Sequence, residues 1–304
     1  MRVSLHQLRL FRAVAESGSL ARAASKVHIT QAALSLQLKD LAETLGTTLI
    51  TRQGRQQQLT PAGELTLRAA RRIQETLEQL ESELASLKGL QTGHLRIAAA
   101  TTAEYFVPAL LGSFHERFPG IDIELIVANR AEIVARLREQ RDDLTVMARP
   151  PADLVLVDVP LLENPLVLIA SRDHALARCD RLSLADLADE PFVLREAGSG
   201  TRLIADAWLK ATGFTPKASL ALGSNEAIKQ AVAAGLGLSI ISQLTLKAGE
   251  LDTLAILPVE GFPIPSHWHL VHPENRALSP PAREFMRHAV EAACGLRPPA
   301  GVSQ

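Results

Sequence analysis

Two short amphipathic segments joined by a tight turn, at the start of the chain, constrain its fold more than any other feature. Ser4–Ala15 carries Leu5, Leu8, Phe11, Val14 and Ala15 at helical spacing, and Glu16-Ser17-Gly18 breaks the pattern. Ser19–Val27 follows, then a turn at His28-Ile29, then Thr30–Lys39. Helices this short, packed through alanines, predict a helix-turn-helix over about residues 20–39. Thr30 is a good N-cap for the second helix and leaves a hydroxyl at its exposed end. That helix carries no acid over its first two turns. Thr30, Gln31, Ala32, Ser35, Gln37 and Lys39 are the residues expected to lead it into a major groove, where such side chains meet base edges and phosphates. The plain alternative is a helical hairpin with a polar outer face.

The charge distribution fits a chain that touches a polyanion with one part only. The net charge of the 304 residues is -1, but residues 1–72 hold eleven Lys and Arg against four Asp and Glu. The remainder is acidic, with 21 basic residues against 29 acidic ones. Hydrophobic residues make up 47% of the chain, enough for a packed core. No apolar run reaches the ~18 residues of a membrane span, and the N-terminal segment is interrupted by Arg9, Arg12 and Glu16, so no membrane partner is expected. Two cysteines, Cys179 and Cys294, give neither a disulfide framework nor a metal quartet. The expected setting is reducing and cytoplasmic.

Leu49–Thr60 has two β-prone ends around a polar loop with Gly54 at its tip, which predicts a hairpin. Arg52 and Arg55 on it are expected to grip phosphates as a wing does, the bland reading being a solvated hairpin. Residues 1–60 then form a winged helix-turn-helix. Thr60-Pro61 opens a long helix over 61–90. Ile73, Leu77, Leu80, Leu84 and Leu87 alternate at four- and three-residue steps, a coiled-coil seam on an otherwise polar helix. The seam predicts a dimer with a second copy; its alternative is a helix lying on its own domain. Beyond Gly93, segments of strand and helix character alternate, which predicts a parallel, helix-covered α/β sheet in two lobes. Lobe I is expected over 94–164 plus 267–304 and lobe II over 165–266, within one region 94–304, with Pro165 and Pro265 at the crossovers.

These segments resemble a family. Thr30-Gln31-Ala32-Ala33-Leu34-Ser35 with Gln37, Leu49 and Arg52, then Leu59-Thr60-Pro61-Ala62-Gly63, is similar to the DNA-binding end of LysR-type transcriptional regulators. The order of helix-turn-helix, linker helix and two lobes matches over essentially the whole chain. The resemblance implies a periplasmic-binding-protein-like effector region with a small-molecule cleft, a tetramer built from two dimers, RNA polymerase as a further partner, and activation of a neighbouring operon. Within the family, Thr101–Pro108, Asp142-Asp143-Leu144, Met147–Pro151, Arg195–Arg202 and Gly223–Lys229 are similar to Calvin-cycle (RuBisCO operon) regulators of the CbbR type. That likeness implies a sugar bisphosphate or a nucleotide as effector; the alternative is a regulator of an unrelated metabolic operon. Three positions depart from the family's habit: Leu36 stands where a basic residue is common, Ala42 where an acid is usual, and Ile50 where an aromatic is common. Leu36 removes a backbone or base contact and leaves the operator sequence open.

The residues themselves point to an anion. Thr101-Thr102 lies between a strand and a helix, and Glu196–Arg202 with Gly198, Ser199 and Thr201 repeats the arrangement. Asn129-Arg130, Arg149 and Asn225-Glu226 also fall at strand C-terminal ends, where open α/β sheets collect ligands. Arg149 is the basic residue expected to contact the effector, the alternative being a surface arginine paired with Asp142 or Asp143. Arg202 supplies further charge, and Arg195 serves the same anion or snorkels from its strand. The expected ligand is a small, phosphorylated anion, with no cofactor and no metal. An enzyme is the rival class, as is a free-standing small-molecule carrier. His267 and His269 share a strand face, yet no HExxH or GxSxG motif is present, and Cys179 sits beside Asp180 away from any helix start.

Overall fold

The computed structural model describes residues 3–53, 56–86, 92–293 and 295. The chain divides into two compact units, residues 1–84 and 85–304.

In the first unit, α1 (Leu5–Ser17) starts at a capping box. Ser4 Oγ accepts from the Gln7 amide at 3.1 Å, and Gln7 Oε1 accepts from the Ser4 amide at 3.1 Å. α2 (Leu20–Lys26) and α3 (Gln31–Leu45) follow. Thr30 Oγ1 caps α3 by accepting from the Ala33 amide at 3.1 Å, and Gly46 ends it in the left-handed region (φ 68°). Leu10, Ala13, Val14, Ala23, Ala24 and Leu34 bind the three helices together. The small alanines let α1 and α2 approach closely. A second cluster, Leu8, Phe11, Leu41, Leu49 and Ala70, ties α1 and α3 to the segments that follow.

β1 (Ile50–Gln53) pairs antiparallel with β2 (Gln56–Leu59), and α4 (Pro61–Ser86) leaves directly from the hairpin. Gly54 lies outside the described residues. Gly63 is required at the start of α4, because a Cβ there would stand 2.0 Å from the Leu49 carbonyl oxygen. Arg71 pairs with Glu16 at 3.7 Å and Arg9 donates to Gln74 at 3.0 Å, so the first turns of α4 rest on α1. Further along, Leu80 and Leu84 are about half exposed, at 51% and 54%. Ile73 is exposed and Leu77 half-buried, whereas Leu87 lies outside the described residues.

In the second unit the chain builds β3 (Gly93–Ala100), a 3₁₀ turn (Thr101–Tyr105), α5 (Val107–Arg117), β4 (Ile121–Ala128), α6 (Arg130–Arg138), β5 (Leu144–Met147) and β6 (Leu156–Glu163). It crosses over at Asn164-Pro165 and forms β7 (Leu166–Ser171), β8 (Pro191–Arg195), α7 (Gly200–Thr212), β9 (Lys217–Leu222), α8 (Asn225–Ala233), β10 (Ser239–Ser242) and β11 (Leu254–Ile256). It returns through β12 (His267–Pro273) and ends on α9 (Pro280–Ala293). Lobe I is a five-stranded sheet in the order β4-β3-β5-β12-β6 around Phe114, Trp268 and Phe285. Lobe II combines the sheet β10-β7-β11 with the pair β8-β9, around Phe192 and the aliphatics of β7.

The two crossings run side by side. The Asn164 amide donates to the Ser266 carbonyl at 2.8 Å, and the Asn164 carboxamide also takes a bond from Ser242 at 2.6 Å.

One expectation is corrected. The sheets are mixed, not wholly parallel. β3 runs parallel to β4 and β5, but β12 is antiparallel to both β5 and β6, and β7 is antiparallel to β10 and β11. The reason is the double crossing: β6 carries the chain out of lobe I and β12 brings it back, so neighbours in one sheet run oppositely. β6 was not foreseen, because Pro160 interrupts it; as an edge strand it tolerates a residue that cannot donate. Between β3 and β4 a 3₁₀ turn comes first and α5 begins only at Val107, since Pro108 fits the first helical turn and no later position.

Candidate DNA-reading helix and interlobe cavity

α3 buries Leu34 and Leu41 and turns its other face outward. Gln31, Ser35 and Lys39, one turn apart, are exposed, together with Ala32 and Leu36. Gln37 is half-buried and stands to the side of that row. Lys39 lies 3.7 Å from Glu43 in a fully solvated pair, which is worth little and leaves the ammonium available to a phosphate. Leu36, 57% exposed, adds an apolar contact to this face, of the kind a thymine methyl accepts. Arg52 belongs to β1, where its backbone pairs with Gln57. Its side chain and the whole of Arg55 lie outside the described residues.

The second site is a cavity between the lobes of the second unit. It is lined by Thr101, Thr102, Arg130 and Trp268 from lobe I and by Arg195, Glu196, Ser199 and Thr201 from lobe II. Its centre is Arg195, 3% exposed at the end of β8. Arg195 Nε and Nη2 donate to the two carboxylate oxygens of Glu196 at 2.8 and 3.0 Å. Its Nη1 donates to Asn225 Oδ1 at 2.5 Å and to Thr102 Oγ1 at 3.3 Å. Asn225 Nδ2 also donates to Thr102 Oγ1, at 3.0 Å, so a buried triad joins β8, α8 and the turn after β3.

The N-terminus of α7 faces the cavity through Ser199, Gly200 and Thr201, adding the amides of a first helical turn and the positive end of a helix dipole. Arg130, first residue of α6, adds a second guanidinium. It donates to the Arg149 carbonyl at 3.1 Å and has no carboxylate partner among the described residues. Burial, and then the charge of Arg149, lower its pKa, so an anion arriving there relieves both penalties. The free space is about 20 Å³, room for about one water.

Thr101, Thr102, Arg130, Glu196, Ser199 and Thr201 of the expected effector residues are thus brought together. Gly198 shapes the loop with φ 86°. The others do not line the cavity and have other partners. Asn129 caps α6 through the Glu132 amide at 3.0 Å. Arg149 donates to the Leu203 carbonyl at 3.1 Å, a bond between the lobes. Asp142 and Asp143 are occupied by Arg136 and Arg276, so the alternative pairing for Arg149 does not form. Arg202 pairs with Asp206 at 2.7 Å and donates to the Arg195 carbonyl at 3.1 Å, which braces the loop. Glu226 binds Tyr105 and Lys229. Arg195 is buried and does not snorkel. Trp268, Met147 and Ala148 were not anticipated; an isolated indole in a strand carries no spacing signal that would place it on a cavity wall. His269, of the rival catalytic reading, pairs with Asp158 at 2.7 Å on the adjacent strand.

A helix-turn-helix and a cavity between two lobes, carried on one chain, define the architecture of a one-component regulator. The description "Bacterial regulatory helix-turn-helix protein, lysR family" matches residues 5–64, and "LysR substrate binding domain" matches residues 88–294. The chain belongs to the LysR family of transcriptional regulators. It is 42% identical over 284 residues to the HTH-type transcriptional activator CmpR of Synechocystis, covering 93% of each chain. It is 42% identical over 298 residues to the RuBisCO operon transcriptional regulator of Allochromatium vinosum, covering 97% of this chain and 98% of the relative. The regulatory domain of Synechocystis CcmR, solved in complex with 2-PG, superposes with a TM-score of 0.64 at 41% identity, covering 66% of this chain and 98% of that one. Full-length CbnR complexed with its target DNA shares the fold over 96% of this chain and 100% of its own, with a TM-score of 0.69 at 23% identity.

Proposed function

We propose that this protein binds DNA as a homodimer or a pair of dimers, activates a carbon-fixation operon, and responds to a small phosphorylated anion held between its lobes. α3 enters the major groove led by Gln31, Ser35 and Lys39. The exposed stripe of α4 joins two copies so that two such helices address two half-sites. The cavity carries the effector part of the reading: Arg130 and Arg195 meet there from opposite lobes beside the N-terminus of α7, with hydroxyls from Thr102, Ser199 and Thr201. Relatives about 42% identical over nearly the whole chain are named as RuBisCO operon regulators or as CmpR, which supports the operon. A 2-PG complex of a relative supports a phosphorylated ligand. An effector acts only by binding one arrangement of the lobes better than another. Footprinting on the intergenic DNA beside the protein's own gene, with and without 2-phosphoglycolate and sugar bisphosphates, tests this reading. A protected region whose extent changes with one of these anions is expected; protection indifferent to all of them removes the effector claim, and no protection at low salt removes the DNA claim.

A further inference from the structure

We propose that Trp268 is a specificity-determining residue of the cavity, whose indole N–H donates to an oxygen of the effector. This rests on the reading of the cavity as the effector site. Trp268 stands on β12, 2% exposed, packed on Phe106 with ring centroids 5.3 Å apart and paired across the strands with Leu162. It lines the cavity opposite the residues of lobe II. Its Nε1 is fully buried and finds no acceptor among the described residues. A buried donor without an acceptor is destabilising, and native cores place tryptophan where its N–H reaches a partner. The register shift between Trp268 and His269 is the kind of irregularity that re-aims a side chain beside a site.

Several of the cavity's other side-chain donors already have partners. Three nitrogens of Arg195 are bound to Glu196, Asn225 and Thr102, Thr101 donates to the Ala128 carbonyl at 3.2 Å, and Arg130 donates to the Arg149 carbonyl. Trp268 adds an uncharged side-chain donor that is not already committed. An indole donates and cannot accept, so it favours a ligand oxygen and rejects an ammonium or hydroxyl hydrogen in that place. It does not titrate, so its preference is independent of pH. The ligand class is a small compound with one oxyanion for the arginines and a second acceptor oxygen within a few ångströms for the indole, as in a phosphorylated hydroxy acid or sugar. Removing a hydrogen bond to a charged acceptor costs about tenfold or more in affinity.

The chain has two tryptophans, and Trp208 packs on Phe262 in lobe II and does not line the cavity. The test uses full-length wild-type protein, Trp208→Phe and Trp268→Phe, titrated with 2-phosphoglycolate and with inorganic phosphate. Dissociation constants come from calorimetry. In Trp208→Phe the hydrogen-bond-sensitive indole band in ultraviolet resonance Raman spectra reports Trp268 alone, without altering it. Expected are equal affinities for wild type and Trp208→Phe, a band that moves to its hydrogen-bonded position as 2-phosphoglycolate saturates, and affinity lowered about tenfold or more in Trp268→Phe. A band that does not move at saturation overturns the proposal even if Trp268→Phe fails to fold. So does a Trp268→Phe affinity within about twofold of wild type; both results leave the effector reading standing. Failure of the wild-type protein to bind either anion overturns that reading and the proposal with it.

Discussion

Tyr105 donates its phenolic hydrogen to a carboxylate oxygen of Glu226 at 2.5 Å, joining the turn after β3 in lobe I to the first turn of α8 in lobe II. Burial pushes the Glu226 carboxyl up, but hydrogen bonds from Lys229 and Tyr105 outweigh it and hold the group below its ordinary pKa. Burial and then Glu226 push the Tyr105 hydroxyl up, so it keeps its proton and remains the donor.

Tyr105→Phe therefore lowers stability by about 1 kcal/mol at neutral pH. The sign with pH follows from the lowered carboxyl. Its contribution is present above the unfolded value of about 4.3 and is lost as pH falls through the folded one. The gap in melting temperature between wild type and variant should be widest near neutrality and narrow as pH falls below about 4.3. An offset that is the same at every pH would refute the linkage.

Lys229 is the buried cation of the same cluster, 1% exposed. Its Nζ donates to the Thr245 carbonyl at 2.9 Å and to Glu250 at 2.6 Å, lies 2.7 Å from Glu226, and sits 5.3 Å from the centre of the Tyr105 ring. Lys229→Met keeps the stem and removes the charge, leaving two carboxylates facing each other. Breaking one side of a buried pair costs about 3–5 kcal/mol; partial exposure of both acids points to the lower end. Urea unfolding followed in the effector region should show a clear fall in midpoint at unchanged slope. A loss below about 1 kcal/mol would place the charge of Lys229 outside the stability of lobe II.

What the sequence made legible follows from how local each signal is. The helix-turn-helix depends on spacing within forty residues, and Leu34 and Leu41 lie buried as the period requires. The loop Glu196–Thr201 could be read because glycine, serine and threonine before a helix have a local meaning. β6 was hidden because Pro160 argues against a strand unless its edge position is known. The role of Arg195 was equally non-local: its partners Thr102 and Asn225 lie 93 and 30 positions away in sequence. Arg149 looked free because the Leu203 carbonyl it binds carries no side-chain signature. Gln37 follows the outward pattern in sequence, yet α3 turns it partly inward, so Gln31 is the better probe of the groove.

Gln31→Ala should weaken binding to the cognate operator by roughly 1–3 kcal/mol and leave binding to random duplex nearly unchanged. Gln31 is exposed in the first turn of α3, beside the Thr30 cap that fixes the helix start. On the proposed reading an amide there can make bidentate contacts to a base, whereas Lys39 would reach phosphate and act on all sequences alike. Fluorescence anisotropy on both duplexes at fixed salt checks the difference. Equal losses on the two would reassign Gln31 to the backbone.

Leu80→Asp should dissolve the dimer. α4 has 26 residues and is about 39 Å long, and α1 meets it through Arg71 and Gln74, in its N-terminal half. Leu80 and Leu84 present apolar side chains half open to solvent on the far turns, one step apart on the seam. A stripe of this width is too narrow for a globular core and matches a coiled-coil partner of the same kind. Aspartate at Leu80 places a charge in that seam, where it finds no counter-ion from an identical helix. Sedimentation velocity should give a monomer at micromolar concentration, with operator affinity falling because one recognition helix can no longer lend its binding energy to the other. The same substitution at exposed Val155, on the other compact unit, is the control and should leave the dimer intact. A dimer that survives Leu80→Asp would show that α4 does not hold the two copies together.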